Sequence, residues 1–159
     1  MLTRYTQVFK AVAIILGFFI LTILFPFAVA IHYDEPSADA FMHAFIIAIC
    51  CALIIWFLTR EAKREISVRD GFLLVALTWI ILPLFASLPL LFFIEELSFT
   101  DAYFEAVSGL TATGATVLTD LDHMPISINL WRTQLHWLGG MGIIVLAVAV
   151  LPMLGIGGR

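Results

Sequence analysis

The sequence predicts an all-α membrane protein with about four transmembrane helices and, between the last two, one re-entrant helix and loop. Three observations carry that expectation. Hydrophobic residues make up 62% of the 159-residue chain and charged residues 13%, against roughly 45–50% and 25% in a soluble domain. Mean hydropathy is +1.08. The apolar residues gather into four stretches, residues 8–31, 41–58, 71–94 and 130–154, each near the roughly 20 residues that cross the hydrocarbon core as a helix.

The first stretch comes after Arg4 and Lys10, as a signal peptide would, but it is longer than the roughly 7–15 residues of a signal h-region and no A-x-A site closes it. It reads as a retained helix. The second carries Cys50 and Cys51 side by side, without the separated spacing of a disulfide framework or zinc site, so both read as membrane-buried thiols. Pro26, Pro83 and Pro89 fall inside or near the ends of the spans. Transmembrane helices tolerate proline where neighbours satisfy the freed carbonyls, so kinks are expected.

Basic residues concentrate in cytoplasmic loops. With the N-terminus inside, Arg4, Lys10, Arg60, Lys63, Arg64, Arg69 and Arg159 are cytoplasmic and Arg132 alone is external. Asp34, Glu35, Asp39, Glu95, Glu96, Asp101, Glu105, Asp120 and Asp122 then lie on or near the outer face, leaving Glu61, Glu65 and Asp70 inside. The positive-inside pattern explains this by itself; an acidic outer mouth that concentrates cations explains it equally well. A net charge of −4 with no basic stripe argues against nucleic acid as a partner.

Between the third and fourth stretches, residues 98–117 begin as a short helix. Ser98 and Asp101 have capping-box spacing, and Gly109 is placed to end the helix with positive φ. About ten residues at 1.5 Å give roughly half the hydrocarbon thickness. The residues after Leu110 are small and hydroxyl-bearing, so the chain must turn back near the midplane, where irregular backbone survives only if protein buries it or a watery cavity satisfies it. A helix entering from outside points its negative C-terminal end inward and favours a cation there. Thr111, Ala112, Thr113 and Gly114 supply small side chains and one conformationally free residue, as loops that line up backbone carbonyls around an ion require. A Thr/Gly-rich external turn after a surface helix has the same motif. Tyr103, Phe104, Val107 and Leu110 favour the packed alternative.

Three segments together, Ser108-Gly109-Leu110-Thr111-Ala112-Thr113-Gly114-Ala115-Thr116, the run from Leu135-His136-Trp137-Leu138-Gly139-Gly140-Met141-Gly142 to Ala149, and Leu154-Gly155-Ile156-Gly157-Gly158, resemble the bacterial Trk-type potassium uptake proteins of the TrkH/Ktr/HKT superfamily of cation transporters. The resemblance covers residues 72–158, and the two preceding helices look like that family's extra N-terminal pair. It implies residues 1–66 as two N-terminal transmembrane helices and residues 67–159 as the first of four repeats of helix, re-entrant pore helix with filter loop, and helix. The chain then reads as the N-terminal portion of a longer transporter. The resemblance implies potassium as the transported ion, held by backbone carbonyls of Thr111, Ala112, Thr113 and Gly114, with Gly114 as the filter glycine. Ala112 departs from the threonine expected there, which matters little if the ligand is a backbone oxygen. A homodimer of full-length chains in the bacterial inner membrane and a cytoplasmic nucleotide-binding regulatory subunit are implied in the same way.

Gly139, Gly140 and Gly142 are expected to let a neighbouring backbone approach the last span, with packing against the pore helix the main expectation and a gating hinge the other. Arg132, Gln134 and His136 sit at that span's outer end, where polar side chains snorkel to the interface; Arg132 is alternatively placed to brace Asp120 or Asp122. His32, His43 and His123 read as interfacial, and Trp56, Trp79, Trp131 and Trp137 as including interface anchors. No Walker loop, nucleophile elbow or dinucleotide fingerprint occurs, so the chain does not read as an enzyme. Two other classes remain beside the ion pathway: a non-conducting scaffold that binds a partner through the glycine-rich helix, and a secondary transporter that binds another solute at the midplane.

Overall fold

The computed structural model of the chain describes residues 5–61 and 67–153, with only the backbone described at 68 and 145–153. Arg4, Lys63, Arg64, Glu65, Leu154 and Arg159 lie outside the described residues. The elements in chain order are α1 (Thr6–Leu21), α2 (Leu24–His32), α3 (Ala38–Thr59), α4 (Val68–Ala86), α5 (Leu88–Phe93), α6 (Phe99–Leu110), a 3₁₀ turn (Leu121–His123) and α7 (Ile126–Met153). Among the described residues there is no strand. Three helical runs there are long and apolar enough to cross a membrane: Thr6–His32, Ala38–Thr59 and Arg69–Phe93.

Two of these runs are broken rather than merely kinked. The first stops at Leu21 and restarts at Leu24, just before Pro26; the third stops at Ala86 and restarts at Leu88, just before Pro89. Proline brings no N–H and its ring crowds the carbonyl four residues back, so the preceding turn has to open. Pro83, by contrast, sits inside α4 without ending it. Ser67 begins α4 with a full capping box: its Oγ accepts from Asp70 N at 3.3 Å and Asp70 Oδ2 accepts from Ser67 N at 3.1 Å.

The α1 helix packs on α3 and α4, α2 on α7, α3 on α5, and α6 between α4 and α7. Lys10 Nζ donates to Arg60 O at 3.0 Å, bringing these two basic residues to one end of the bundle. The core gathers Leu16, Phe19, Ile20, Phe41, Trp131 and Leu135 where α1, α3 and α7 meet. Trp131 is fully buried, so it is not an interface anchor. Its ring lies 6.0 Å from that of Phe19 and 6.3 Å from that of Phe41. Its indole donates at 2.9 Å to Ala86 O, a carbonyl opened by the α4–α5 break. Cys50 is exposed on α3 and Cys51 half-buried.

At the acidic end the chain leaves α2 through Asp34 at φ 50°, with Glu35 N donating to Ala30 O at 2.9 Å and Asp34 N to Ile31 O at 3.3 Å. This Schellman turn delivers Glu35 to the start of α7. There Oε1 accepts from Ile126 N at 2.7 Å and Oε2 from Ser127 N at 3.0 Å, filling two of the N–H groups a helix start leaves open. Burial alone would raise the Glu35 carboxyl, but hydrogen bonds from the Ser127 hydroxyl, the Ser127 and Ile126 N–H groups and the Ser37 hydroxyl outweigh it and hold the carboxyl below its usual value.

Candidate functional site

The α6 helix is 12 residues long, about 18 Å at 1.5 Å per residue, too short to cross the hydrocarbon core. Ser98 caps it by accepting from Asp101 N at 3.1 Å while its hydroxyl donates to Asp101 Oδ2 at 2.7 Å. Its buried face is built from Ala102, Ala106 and Gly109, with Glu105, Ser108 and Leu110 beside them. Small residues decide the packing because α7 comes so close. A Cβ on Gly109 would meet Leu135 Cβ at 2.9 Å, and one on Gly139 would run into Leu110 O, well inside van der Waals contact. Gly139 therefore does what the sequence suggested for it, letting α7 approach the end of α6, whereas a Cβ on Gly140 or Gly142 would meet nothing within 4 Å. Of the bulky residues, Leu110 is buried, Tyr103 and Val107 are half-buried, and Phe104 is 43% exposed.

Gly109 does not end the helix. The chain turns in the Schellman pattern three residues later, with Ala112 N donating to Gly109 O at 2.8 Å, Thr113 N donating to Ser108 O at 2.9 Å, and Ala112 itself at φ 54°. Gly109 stays helical because its missing side chain is needed for the contact with Leu135. Thr111 leaves the helix at φ −87°, and positive φ recurs at Gly114, 78°. The threonine hydroxyls of 111 and 113 share a hydrogen bond of 2.7 Å. Residues 111–114 are exposed. Their carbonyl oxygens accept no hydrogen bond from any described residue, whereas the next carbonyl, Ala115 O, accepts from Ser108 Oγ at 2.6 Å.

The residue that sequence reasoning misplaced is Glu105. It does not belong to the outer acidic surface: it is 5% exposed. Its Oε1 accepts from Thr116 Oγ1 at 2.5 Å, Val117 N at 2.6 Å and Leu118 N at 3.3 Å. Its Oε2 accepts from Arg132 Nε and Nη2, both at 3.3 Å. Arg132 therefore neither snorkels outward nor braces Asp120 or Asp122, because a buried carboxylate needs its charge more than exposed ones do. Asp120 instead pairs with His123, Nδ1 to Oδ1 at 2.5 Å. One signal pointed to this pairing: Arg132 is the cation that the positive-inside pattern of the sequence sets apart among carboxylates. Among the described residues no group of His, Cys, Asp and Glu is placed to hold a metal ion. A cavity of about 500 Å³ lies beside the end of α6, lined by residues that include Phe19, Trp79, Leu82, Leu110 and Leu138, and its walls are almost wholly apolar.

A bundle of long apolar helices, holding a half-length helix and an exposed carbonyl-bearing loop between α4 and α7, defines an all-α multi-span membrane protein. The chain belongs to the TrkH (cation transport protein) family, whose model matches residues 37–159. It is 44% identical over 156 residues to the Trk system potassium uptake protein TrkH of Vibrio parahaemolyticus, covering 98% of this chain and 32% of that one. The Trk system potassium uptake protein TrkG of Escherichia coli is 43% identical over 139 residues, covering 87% of this chain and 29% of that one. The crystal structure of the potassium transporter TrkH from Vibrio parahaemolyticus superposes with a TM-score of 0.87 at 44% identity, covering 98% of this chain and 34% of that one. The chain thus spans about a third of the length of the curated relatives it matches. Those relatives are named as transporters, not enzymes.

Proposed function

We propose that the chain forms part of a potassium uptake transporter, and that the carbonyls of Thr111, Ala112, Thr113 and Gly114 replace water around the passing ion. The observation that carries this reading is the run of four carbonyls without donors from described residues, on a loop with positive φ at Ala112 and Gly114, at the C-terminal end of a half-length helix. At membrane depth such carbonyls need a partner, and a cation or water is the partner left. The negative end of α6 favours the cation. The names of the relatives support potassium as that ion. The apolar cavity beside α6 offers an ion nothing to replace its water.

Residues 67–159 then form one helix, re-entrant loop and helix repeat, and residues 1–66 an N-terminal helical pair. At 28 residues α7, about 42 Å long, supplies the fourth crossing. One loop offers too few oxygens to surround an ion, so further copies of the repeat must face the same axis, and the threefold greater length of the relatives has room for them. The setting is a bacterial inner membrane with the N-terminus cytoplasmic, where the membrane potential supplies about 2.3 kcal/mol per charge per 100 mV for inward flow. The full-length chain acts as a homodimer with a cytoplasmic nucleotide-binding regulatory subunit.

The test is potassium or rubidium flux into liposomes that hold the full-length parent, native against Gly114→Ser. The expected result is native flux with an altered rate or a lost potassium preference in the variant. Unchanged flux and preference would move the ion path away from Gly114 and overturn the reading.

A further inference from the structure

We propose, resting on the reading that residues 111–114 hold the ion, that Glu105 is the positioning residue that sets the carbonyl geometry of this loop and with it the preference for potassium over sodium, and that Arg132 is the partner that lets it do so. The four residues form an arch between two fixed points on one helix. On the near side, Ser108 takes the Thr113 N–H on its carbonyl at 2.9 Å and holds Ala115 O with its hydroxyl at 2.6 Å. On the far side, the Glu105 carboxylate gathers the next three residues through Thr116 Oγ1, Val117 N and Leu118 N. Whether an oxygen cage selects by its size or by the number of its dipoles, its selectivity depends on where the carbonyls are held.

The chemistry of Glu105 suits this task. A carboxylate only accepts, so one side chain can take three donors from the returning loop on Oε1 and two from a guanidinium on Oε2. Arg132, whose side chain is 16% exposed against 3% for that of Glu105, offsets a charge that would be costly to bury alone. Its Nη2 also reaches Thr116 Oγ1 at 3.2 Å, so α6, the loop and α7 meet at one point. Glu105 directs its charge to Arg132 and to backbone N–H groups, and acts on the ion through the loop.

The experiment compares potassium and sodium flux per reconstituted molecule for the full-length parent, Gly114→Ser, Glu105→Ala, Glu105→Gln, and Glu105→Gln combined with Arg132→Gln. Glu105→Ala is expected to lower the potassium-to-sodium flux ratio about tenfold, the worth of one charge-assisted hydrogen bond. Glu105→Gln leaves Arg132 without a counter-charge and is expected to lower the ratio too. The double variant, with an amide facing an amide, is expected to recover it; a purely structural role would lower the amount of folded protein without moving the ratio. Should Glu105→Ala fail to fold, the two Gln variants decide. A native ratio in Glu105→Gln while Gly114→Ser loses its preference would overturn this proposal and leave the ion path in place. Native ratios in Gly114→Ser as well would overturn the ion path itself.

Discussion

Gln134 donates from Nε2 to the carbonyl oxygen of Thr22 at 2.7 Å, across 112 residues of sequence. Thr22 O is the carbonyl that Pro26, four residues on, cannot serve, because proline has no N–H. One turn earlier on the same helix Trp131 serves Ala86 O, the carbonyl at the α4–α5 break. The last helix thus carries, three residues apart, the donors for both broken spans, which is how a membrane interior keeps interrupted helices.

Replacing Gln134 by leucine leaves the Thr22 carbonyl only the long 3.4 Å bond it accepts from Phe25 N among the described residues and is expected to cost about 1 kcal/mol. Thermal unfolding of the full-length parent in detergent reads this as a lower midpoint. Pro26→Ala restores an N–H in reach of Thr22 O, so the double variant is expected to lose less than Gln134→Leu alone. Equal losses would mean the two positions are not coupled.

Glycines on α7 separate into two kinds. Gly139→Ala drives a methyl into Leu110 O, a backbone atom that cannot swing aside, and is expected to cost about 1–3 kcal/mol or more by overpacking. Gly142→Ala meets nothing within 4 Å and is expected to be neutral or to gain up to about 1 kcal/mol of helix propensity. Unfolding midpoints of the two variants should move in opposite directions or differ by several degrees.

Ala112 sits at φ 54°, where a Cβ is strained, at a cost of about 1–2 kcal/mol. Ala112→Gly is expected to raise the unfolding midpoint, and Ala112→Val to lower it. Under the proposed role of its carbonyl, the glycine variant retains its potassium flux.

The Glu35 carboxyl is held below its ordinary value, so the folded state binds its proton less readily than the unfolded chain does. Its contribution is complete above the unfolded glutamate value, about 4.3, and is lost as pH falls through the lower folded value. Acid unfolding of the native protein should therefore show a loss over that window that is smaller in Glu35→Gln. Equal acid sensitivity would remove Glu35 from the hold on α7.

Much of the fold was legible because it rests on local properties. The second apolar stretch became α3 with its ends moved by a few residues, and Ser98 capped α6 as its spacing with Asp101 suggested. The half-length helix was readable from the change at Thr111 from apolar to small and hydroxyl residues. Residues 8–31 and 71–94 read as continuous because hydropathy does not register the two-residue or one-residue gap that a proline opens. Gly109 reads as a stop because glycine commonly ends helices, while the structure uses its lack of a side chain against Leu135.

By itself, then, the sequence determined the solvent of the fold, the number of long apolar stretches and the place of the short helix between the last two, since each depends on the composition of a single segment. Tertiary structure alone decided that Arg132 answers Glu105 rather than Asp120, that Glu35 caps a helix starting 91 residues away, and that α7 satisfies both helix breaks. A charge or a hydrogen bond takes whichever partner packing brings within about 3 Å, and in this chain packing brings together segments far apart in sequence.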